Sequence, residues 1–200
     1  MDEFQIMKSN HIPYKEVSFY KPLITDYLNQ SNALRPFIYD FFNENTIDKF
    51  IEQRQKHIVN RTILVGSIKK QYSNSKLDTP KNIELLLDEN TFTITTGHQL
   101  SLFGGPLFFI YKILECIKLT DELSVKYPDY NFVPVFWMAS EDHDFEEIAS
   151  VNIFGEKFEW KTNQTGAVGR FIIDDFLVDI LDKVETKIQS QPFGSDVLNL

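Results

Sequence analysis

The segment that decides the fold is Thr95-Thr96-Gly97-His98-Gln99-Leu100-Ser101-Leu102-Phe103-Gly104-Gly105-Pro106. It follows a run with strand character, residues 91–95, and it opens a long helical pattern from Pro106 to about Tyr127. An apolar run at 132–139 comes next and leads directly into Ser140-Glu141-Asp142-His143-Asp144. Strand, glycine-rich loop, helix, strand and polar cluster together predict one βαβ unit.

The βαβ unit places its two polar segments at one edge of the sheet. In a parallel, right-handed crossover the carboxyl ends of both strands lie on the same side. The loop that contains His98 and the cluster that contains His143 are therefore expected to lie side by side in one pocket.

Composition sets limits on the class of protein. The 200 residues are 42% hydrophobic and include 18 Phe, which is typical of a folded globular chain. A net charge of −9 without a basic patch argues against nucleic acid as the main partner. The sequence shows neither the apolar run of a membrane span nor a secretory signal, and the single Cys116 fits a reducing cytoplasm, where we expect the protein to be.

The chain is predicted to have two parts. Residues 1–90 form a helical N-terminal region, with one helix from Ile47 to about Lys70 and a short helix, Asn82 to Leu87, that begins after Thr79-Pro80. Residues 91–200 form the first part of a Rossmann-like α/β core with a parallel sheet. In that part, Val151–Trp160 and Val168–Ile173 are predicted to pair as an antiparallel hairpin, and a helix follows from Asp174 to about Ser190.

The glycine-rich loop has two interpretations. It matches neither the Walker A pattern nor Gly-x-Gly-x-x-Gly, but a glycine loop at a helix N-terminus can bind phosphate or carboxylate through backbone N–H groups. It can equally be a tight turn that needs glycine for positive φ. His98, at the end of the strand, favours anion binding. The candidate anion- or nucleotide-binding residues are Thr96, Gly97, Gln99, Gly104 and Gly105.

The acidic cluster also has two interpretations. Asp142, His143 and Asp144, together with His98, are candidate catalytic residues, because carboxylates and imidazole can accept or donate protons. The alternative is a helix N-terminus capped by Ser140, Asp142 or Asp144, with Glu146 and Glu147 favoured by the helix dipole. No second cluster has the spacing of metal ligands, so we predict no dedicated metal site.

These segments resemble a known family, the bacillithiol biosynthesis cysteine-adding enzyme. The resemblance covers essentially the whole chain and is most specific in Val133 to Phe145, followed by Glu147-Ile148. It extends to Thr95–Gln99, Phe103–Leu107, Ile110-Tyr111-Lys112 and Val168-Gly169-Arg170. Family members mostly have Gln at the position of His98, and they are far longer than this chain.

The resemblance implies a cytoplasmic ligase that joins cysteine to glucosaminyl malate. For this reaction we expect ATP as cosubstrate and Mg²⁺ as an accompanying ion. The resemblance further implies a Rossmann-type core of the nucleotidyltransferase kind and a homodimer formed through a coiled coil. By this resemblance the chain is an N-terminal portion, expected to associate or to be marginally stable and to form no amide alone. Two other functions stay open: a non-catalytic fragment that binds an anion or a partner chain, and a metal-dependent phosphohydrolase.

Overall fold

The computed structural model describes residues 10–43 and 45–199, which form two compact units divided between Val59 and Asn60. Residues 1–9 of the predicted helical region lie outside the described part. The helices and strands are α1 (Pro22–Leu28), α2 (Ile47–Gln55), α3 (Arg61–Asn74), β1 (Thr91–Gly97), α4 (Leu107–Lys126), β2 (Asn131–Trp137), α5 (Phe145–Ile148), β3 (Ser150–Ile153), β4 (Glu156–Glu159), α6 (Asp175–Gln189) and α7 (Gly194–Leu198). Within the described residues, no helix is long and apolar enough to cross a membrane.

The N-terminal unit is built from α1, α2 and the short 3-10 helices Tyr14–Glu16 and Asn32–Phe37. Its buried apolar side chains include Phe41, Ile47 and Ile51. The side chain of Asp40 is only 8% exposed and forms ion pairs with Arg35 at 2.8 Å and Lys49 at 2.7 Å. A hydrogen bond from Lys49, another from the Phe41 N–H and the nearby Arg35 together hold the pKa of this carboxyl below its ordinary value, although burial opposes them.

Asp40 should make this unit sensitive to acid. Because the pKa of Asp40 is lower in the folded unit than in the unfolded chain, its contribution to stability is complete above the ordinary value of 3.8. That contribution is lost as the pH falls from there through the lowered value. We expect Asp40→Asn to remove part of the acid-dependent loss of stability, measured by NMR signals of residues 10–59 during acid titration. Asp48→Asn, at an exposed position, is the control, and an identical titration for both variants would contradict the assignment.

The predicted helix from Ile47 to Lys70 is wrong as a single element. The chain leaves α2 after Gln55, with Lys56 as the C-cap, and α3 begins anew at Arg61. The Oδ1 atom of Asn60 accepts a hydrogen bond from the Ile63 N–H at 3.1 Å, which is the N-cap of a new helix. The boundary between the compact units falls at this interruption.

The sheet of the second unit confirms the predicted βαβ topology. β1 and β2 are parallel, with Thr91 opposite Asn131 and Gly97 opposite Trp137, and α4 connects them. Cys116 of α4 is buried and its Sγ–H donates to the Ile94 carbonyl of β1, which fits a packing role. The Rossmann-like α/β fold class is therefore observed in this unit.

Helix α3 and the 3-10 helix Lys81–Leu87 pack on this sheet. They form a buried cluster of Val65, Ile83, Leu86 and Val133. The predicted short helix after Thr79-Pro80 is thus a 3-10 helix with Pro80 as its N-cap. Both elements belong to the same compact unit as the sheet. The division of the chain into a region 1–90 and a region 91–200 stays a prediction.

Arg61 ties this layer to the start of β1. Its guanidinium donates to the carbonyls of Leu86 at 2.9 Å, Glu89 at 3.1 Å and Thr91 at 3.1 Å. We expect Arg61→Lys to lower the free energy of unfolding by about 2 kcal/mol, because an ammonium cannot reproduce the planar fork. Urea denaturation measures the change, with the exposed Arg54→Lys as control, and equal stability of the two variants would refute this role.

The predicted pairing of residues 151–160 with residues 168–173 is wrong, because residues 150–159 form both strands of the hairpin by themselves. The antiparallel pair is β3 with β4, in which Ser150 lies opposite Glu159 and Ile153 opposite Glu156. Residues Val168–Arg170 form a 3-10 helix, and the backbone of Ile172 pairs with a side chain: Gln164 Oε1 accepts from its N–H at 2.8 Å, and Gln164 Nε2 donates to its carbonyl at 2.9 Å. The alternating pattern at 168–173 therefore does not correspond to a strand.

Helix α6 covers the hairpin through a second buried cluster. The cluster contains Phe158, Trp160, Leu177, Ile180 and Val184. Asp174 is the N-cap of α6, since its side chain accepts from the Leu177 N–H at 3.1 Å. The same Oδ1 atom accepts from the Trp160 indole at 2.8 Å, so the helix start is joined to the core.

Candidate functional site

The two strand ends meet through their backbones. The His98 N–H donates to the Trp137 carbonyl at 3.1 Å, one residue beyond the last paired positions. A Cβ atom at Gly97 would lie 2.8 Å from that carbonyl oxygen and 2.9 Å from the Trp137 Cβ. Position 97 therefore requires glycine for this close approach.

Glu147 joins the two residues that follow β1. Its Oε1 lies 3.3 Å from His98 Nε2, and its Oε2 accepts from Gln99 Nε2 at 3.0 Å. His98 Nδ1 lies 2.9 Å from the Gln99 carbonyl, so both ring nitrogens face oxygen atoms. Glu147, which the sequence pattern assigned to the helix dipole, is thus a central residue of this edge.

The His98 ring is packed rather than free. Its side chain is 8% exposed, and the ring centroid lies 5.4 Å from that of Phe108 and 5.5 Å from that of Phe109 in the first turn of α4. His98 therefore holds the loop, α4 and Glu147 together. Direct contact of His98 with a bound anion stays a prediction.

The glycine loop has the backbone that the turn interpretation requires. Phe103 and Gly104 have φ of 52° and 80°, and Gly105 has φ 66° and ψ −157°, a region that only glycine adopts readily. Helix α4 then begins with Pro106 as N-cap and without a side-chain cap. Lys112 Nζ donates to the Gly97 carbonyl, so a positive charge lies close to the end of β1.

The acidic segment lies exposed at the same edge. Asp144 Oδ1 accepts from the Glu147 N–H at 3.3 Å as the N-cap of α5, and Asp142 Oδ1 accepts from the Asp144 N–H at 3.0 Å. The alternative predicted for this segment, a capped helix start, is thus present in the structure. Asp142, His143 and Asp144 keep exposed side chains, and their catalytic roles stay predictions.

The segment Val168–Arg170 holds the loop after β2 in place. The Gly169 N–H donates to the Ser140 carbonyl at 2.9 Å, and the Val168 N–H donates to the Asp142 carbonyl at 2.8 Å. A Cβ atom at Gly169 would lie 2.6 Å from the Ser140 carbonyl oxygen. The segment of the predicted second hairpin strand therefore acts as a support for the site.

The loops after β1 and β2 enclose a cavity of about 260 Å³. Its lining includes Gln99, Ser101, Ala139, Ser140, Trp160 and Gly169. Gln99 is 4% exposed. In the described part of the chain, Gln99 Oε1 and Ser101 Oγ are buried polar side-chain atoms without a hydrogen-bond partner. A small cavity with unpaired polar atoms at the carboxyl edge of a parallel sheet is a candidate ligand site.

A larger groove of about 990 Å³ lies between the hairpin and the start of α6. Several of its polar side chains pair with one another, as in Trp160 with Asp174 at 2.8 Å and Lys157 with Glu159 at 2.8 Å. The smaller cavity is therefore the stronger candidate. Among the residues described, no group of three or more His, Cys, Asp or Glu is arranged to hold a metal ion.

The parallel βαβ unit with polar loops at its strand ends defines a Rossmann-like α/β domain. The family model described as "Bacillithiol biosynthesis BshC, N-terminal Rossmann-like domain" matches residues 7–200, and the chain belongs to this family.

Relatives similar to this chain carry the name "Putative cysteine ligase BshC". The protein of Flavobacterium johnsoniae is 48% identical over 180 residues, which are 88% of this chain and 34% of the relative. That of Cytophaga hutchinsonii is 46% identical over 174 residues, 86% of this chain and 33% of the relative. That of Natranaerobius thermophilus is 34% identical over 181 residues, 84% of this chain and 33% of the relative. The chain thus spans about a third of the length of these relatives.

Proposed function

We propose that this chain provides the substrate-binding sheet edge of a ligase that adds cysteine to glucosaminyl malate. The observation that carries the proposal is the 260 Å³ cavity between the loops after β1 and β2, whose lining includes Gln99 and Ser101, each with a buried polar atom that has no hydrogen-bond partner among the described residues. The name of the relatives gives the reaction class, and membership of the bacillithiol biosynthesis family gives the context.

The proposed reaction forms an amide in two steps. The cysteine carboxylate attacks the α-phosphorus of ATP and displaces pyrophosphate, which leaves the carboxyl group activated as an adenylate. The amine of glucosaminyl malate then attacks the carbonyl carbon, AMP leaves with the bonding electron pair, and the amine proton passes to a base. Binding the cysteine adenylate and the amine of glucosaminyl malate in one site would supply much of the rate acceleration of amide formation.

The residues at this edge fit negatively charged reactants. The first-turn N–H groups of α4, without a side-chain cap, and the Lys112 ammonium at the Gly97 carbonyl favour carboxylate and phosphate. We assign phosphate or carboxylate contact to the backbone at Thr96 and Gly97, since the N–H groups of Gly104 and Gly105 already donate to the Ser101 and Leu102 carbonyls. Mg²⁺ would enter with the ATP phosphates.

The exposed residues after β2 fit the role of the base. Asp142, His143 and Asp144 lie in the loop after β2, two to four residues beyond Ser140 of the cavity lining, and are open to solvent, so an imidazole or carboxylate there can take the amine proton. Localisation in the cytoplasm, a core of the nucleotidyltransferase kind and a homodimer formed outside this chain belong to the same proposal.

A chimera tests the function. Residues 10–199 of this chain replace the matched third of the Flavobacterium johnsoniae relative, and product is measured by mass spectrometry with ATP, cysteine and glucosaminyl malate. Amide formation that requires all three substrates is the expected result, with a loss of at least tenfold in His143→Ala. ATP binding without amide formation would favour the non-catalytic function, and phosphate release that needs metal but not cysteine would favour the phosphohydrolase.

A further inference from the structure

The orientation of the Gln99 side chain is fixed by Glu147. Gln99 Nε2 donates to Glu147 Oε2 at 3.0 Å, and the opposite orientation would place the amide oxygen against a carboxylate. Glu147 also contacts His98 Nε2 at 3.3 Å, so its carboxylate is fixed in position and in turn fixes the orientation of the Gln99 amide. Gln99 therefore directs its amide nitrogen to Glu147, and its amide oxygen is the atom left without a partner.

This oxygen is buried without a partner. Gln99 is 4% exposed and lines the cavity, and its Oε1 makes no hydrogen bond within the described structure. Most buried acceptors in folded proteins accept a hydrogen bond, and leaving a buried acceptor without one costs folding free energy. A ligand that supplies an N–H or O–H at this point would remove that cost.

We propose that the cavity binds a substrate amine, with Gln99 Oε1 as the acceptor for its ammonium group and Glu147 as the positioning residue. The proposal rests on the ligase function above and names the chemistry of its binding site. An amide oxygen cannot bind an anion, and Glu147 takes a hydrogen of the amide nitrogen, so this role differs from the anion contact predicted for Gln99. Ser101 Oγ, the other unpaired atom of the cavity, can donate or accept beside it.

Two substrates of the proposed reaction, cysteine and glucosaminyl malate, contain a basic amine. The groups that favour an anion indicate which of the two amines binds in the cavity. The start of α4 follows the same loop, at Leu107, eight residues after Gln99 along the chain, and favours a carboxylate. An α-amino acid carries both groups, so it satisfies the acceptor and the helix start together. Cysteine is therefore the preferred source of the amine, and the sugar amine is the alternative that the test separates.

The test compares ligands with and without the amine. The ¹⁵N-labelled 200-residue chain is titrated in NMR with cysteine, with 3-mercaptopropionate, which is cysteine without its amine, and with glucosamine. We expect cysteine to bind at least tenfold more tightly than 3-mercaptopropionate. In Gln99→Met the affinity for cysteine should fall about ten- to hundredfold, since a charge-assisted hydrogen bond is lost, while that for 3-mercaptopropionate should not change. Gln189→Met, on the exposed end of α6, is the matched control and should behave as the wild type.

The outcomes separate this inference from the proposed function. Equal affinity of the wild type for cysteine and 3-mercaptopropionate, a difference that persists in Gln99→Met, or binding of neither amine would overturn the inference, even if the chimera forms the amide. Glucosamine binding that depends on Gln99 would assign the site to the amine of the sugar. If Gln99→Met does not fold, Glu147→Gln serves instead: it frees the amide to turn, and an undiminished preference for cysteine in that variant would overturn the role of Glu147.

Discussion

Replacing Trp160 by alanine is expected to lower the free energy of unfolding of the second unit by about 3–5 kcal/mol. Trp160 is 5% exposed, belongs to the cluster with Phe158 and Val184, and makes edge contacts with the rings of Phe145 at 5.3 Å and Phe171 at 6.1 Å. Its loss leaves a cavity in the core and removes the indole hydrogen bond to Asp174. Because typical domains have only about 5–15 kcal/mol of stability, the change approaches complete unfolding.

Trp160→Phe separates the two contributions. Phenylalanine keeps most of the buried ring area but loses the hydrogen bond to Asp174, so a smaller decrease of about 1–2 kcal/mol is expected. Circular dichroism in urea is the suitable measurement, because Trp137 is exposed and would report its own surroundings in fluorescence. If both variants are as stable as the wild type, Trp160 does not anchor this core.

Replacing Gly105 by valine is expected to abolish ligand binding at the sheet edge, with a loss of more than tenfold in affinity. Gly105 has φ 66° and ψ −157°, which for a β-branched residue costs about 1–3 kcal/mol. A Cβ atom there would also lie 2.7 Å from the Ser101 Cβ and 3.0 Å from its Oγ. Since Ser101 lines the cavity, the clash displaces one of its two unpaired polar atoms.

Gly104→Val is the matched control. Gly104 has φ 80°, but a Cβ atom there would meet nothing within 4 Å, so this variant has backbone strain without the clash. We expect calorimetry with cysteine to show a clearly smaller loss for Gly104→Val than for Gly105→Val, with both folds kept. Equal losses would mean that backbone strain alone controls the loop, and unchanged affinity in both would show that the glycines serve only the turn.

The sheet and its crossover could be predicted from the sequence because their signals are local. β1, α4 and β2 differ from the predicted limits by no more than two residues, since an apolar run, a glycine loop and a long amphipathic helix follow one another without ambiguity. The helix from Ile47 failed because apolar residues at helical spacing occur on both sides of the interruption. The N-cap Asn60 was the available signal.

The elements that failed depend on partners far along the chain. The pattern at 168–173 alternates as a strand does, but the N–H groups of Val168 and Gly169 bond to the loop after β2, and Gln164 takes the pairing groups of Ile172. Glu147 was assigned to the dipole of its own helix. Its contacts with His98 and Gln99 join residues nearly fifty positions apart in the sequence, and a local sequence pattern cannot predict such contacts.

The hydrogen bond from the His98 N–H to the Trp137 carbonyl ties ligand affinity to strand register. A slip of β1 by one residue along β2 would move its end by about 3.3 Å and turn its side chains to the opposite face. Gln99 would then lose Glu147, and the cavity would lose its acceptor. A ligand of the cavity therefore binds only the correctly paired sheet, and at a concentration of 100 times its Kd it would favour that pairing by about 2.7 kcal/mol. By this linkage, a ligand of the cavity would be a thermodynamic determinant of which strand pairing the chain adopts.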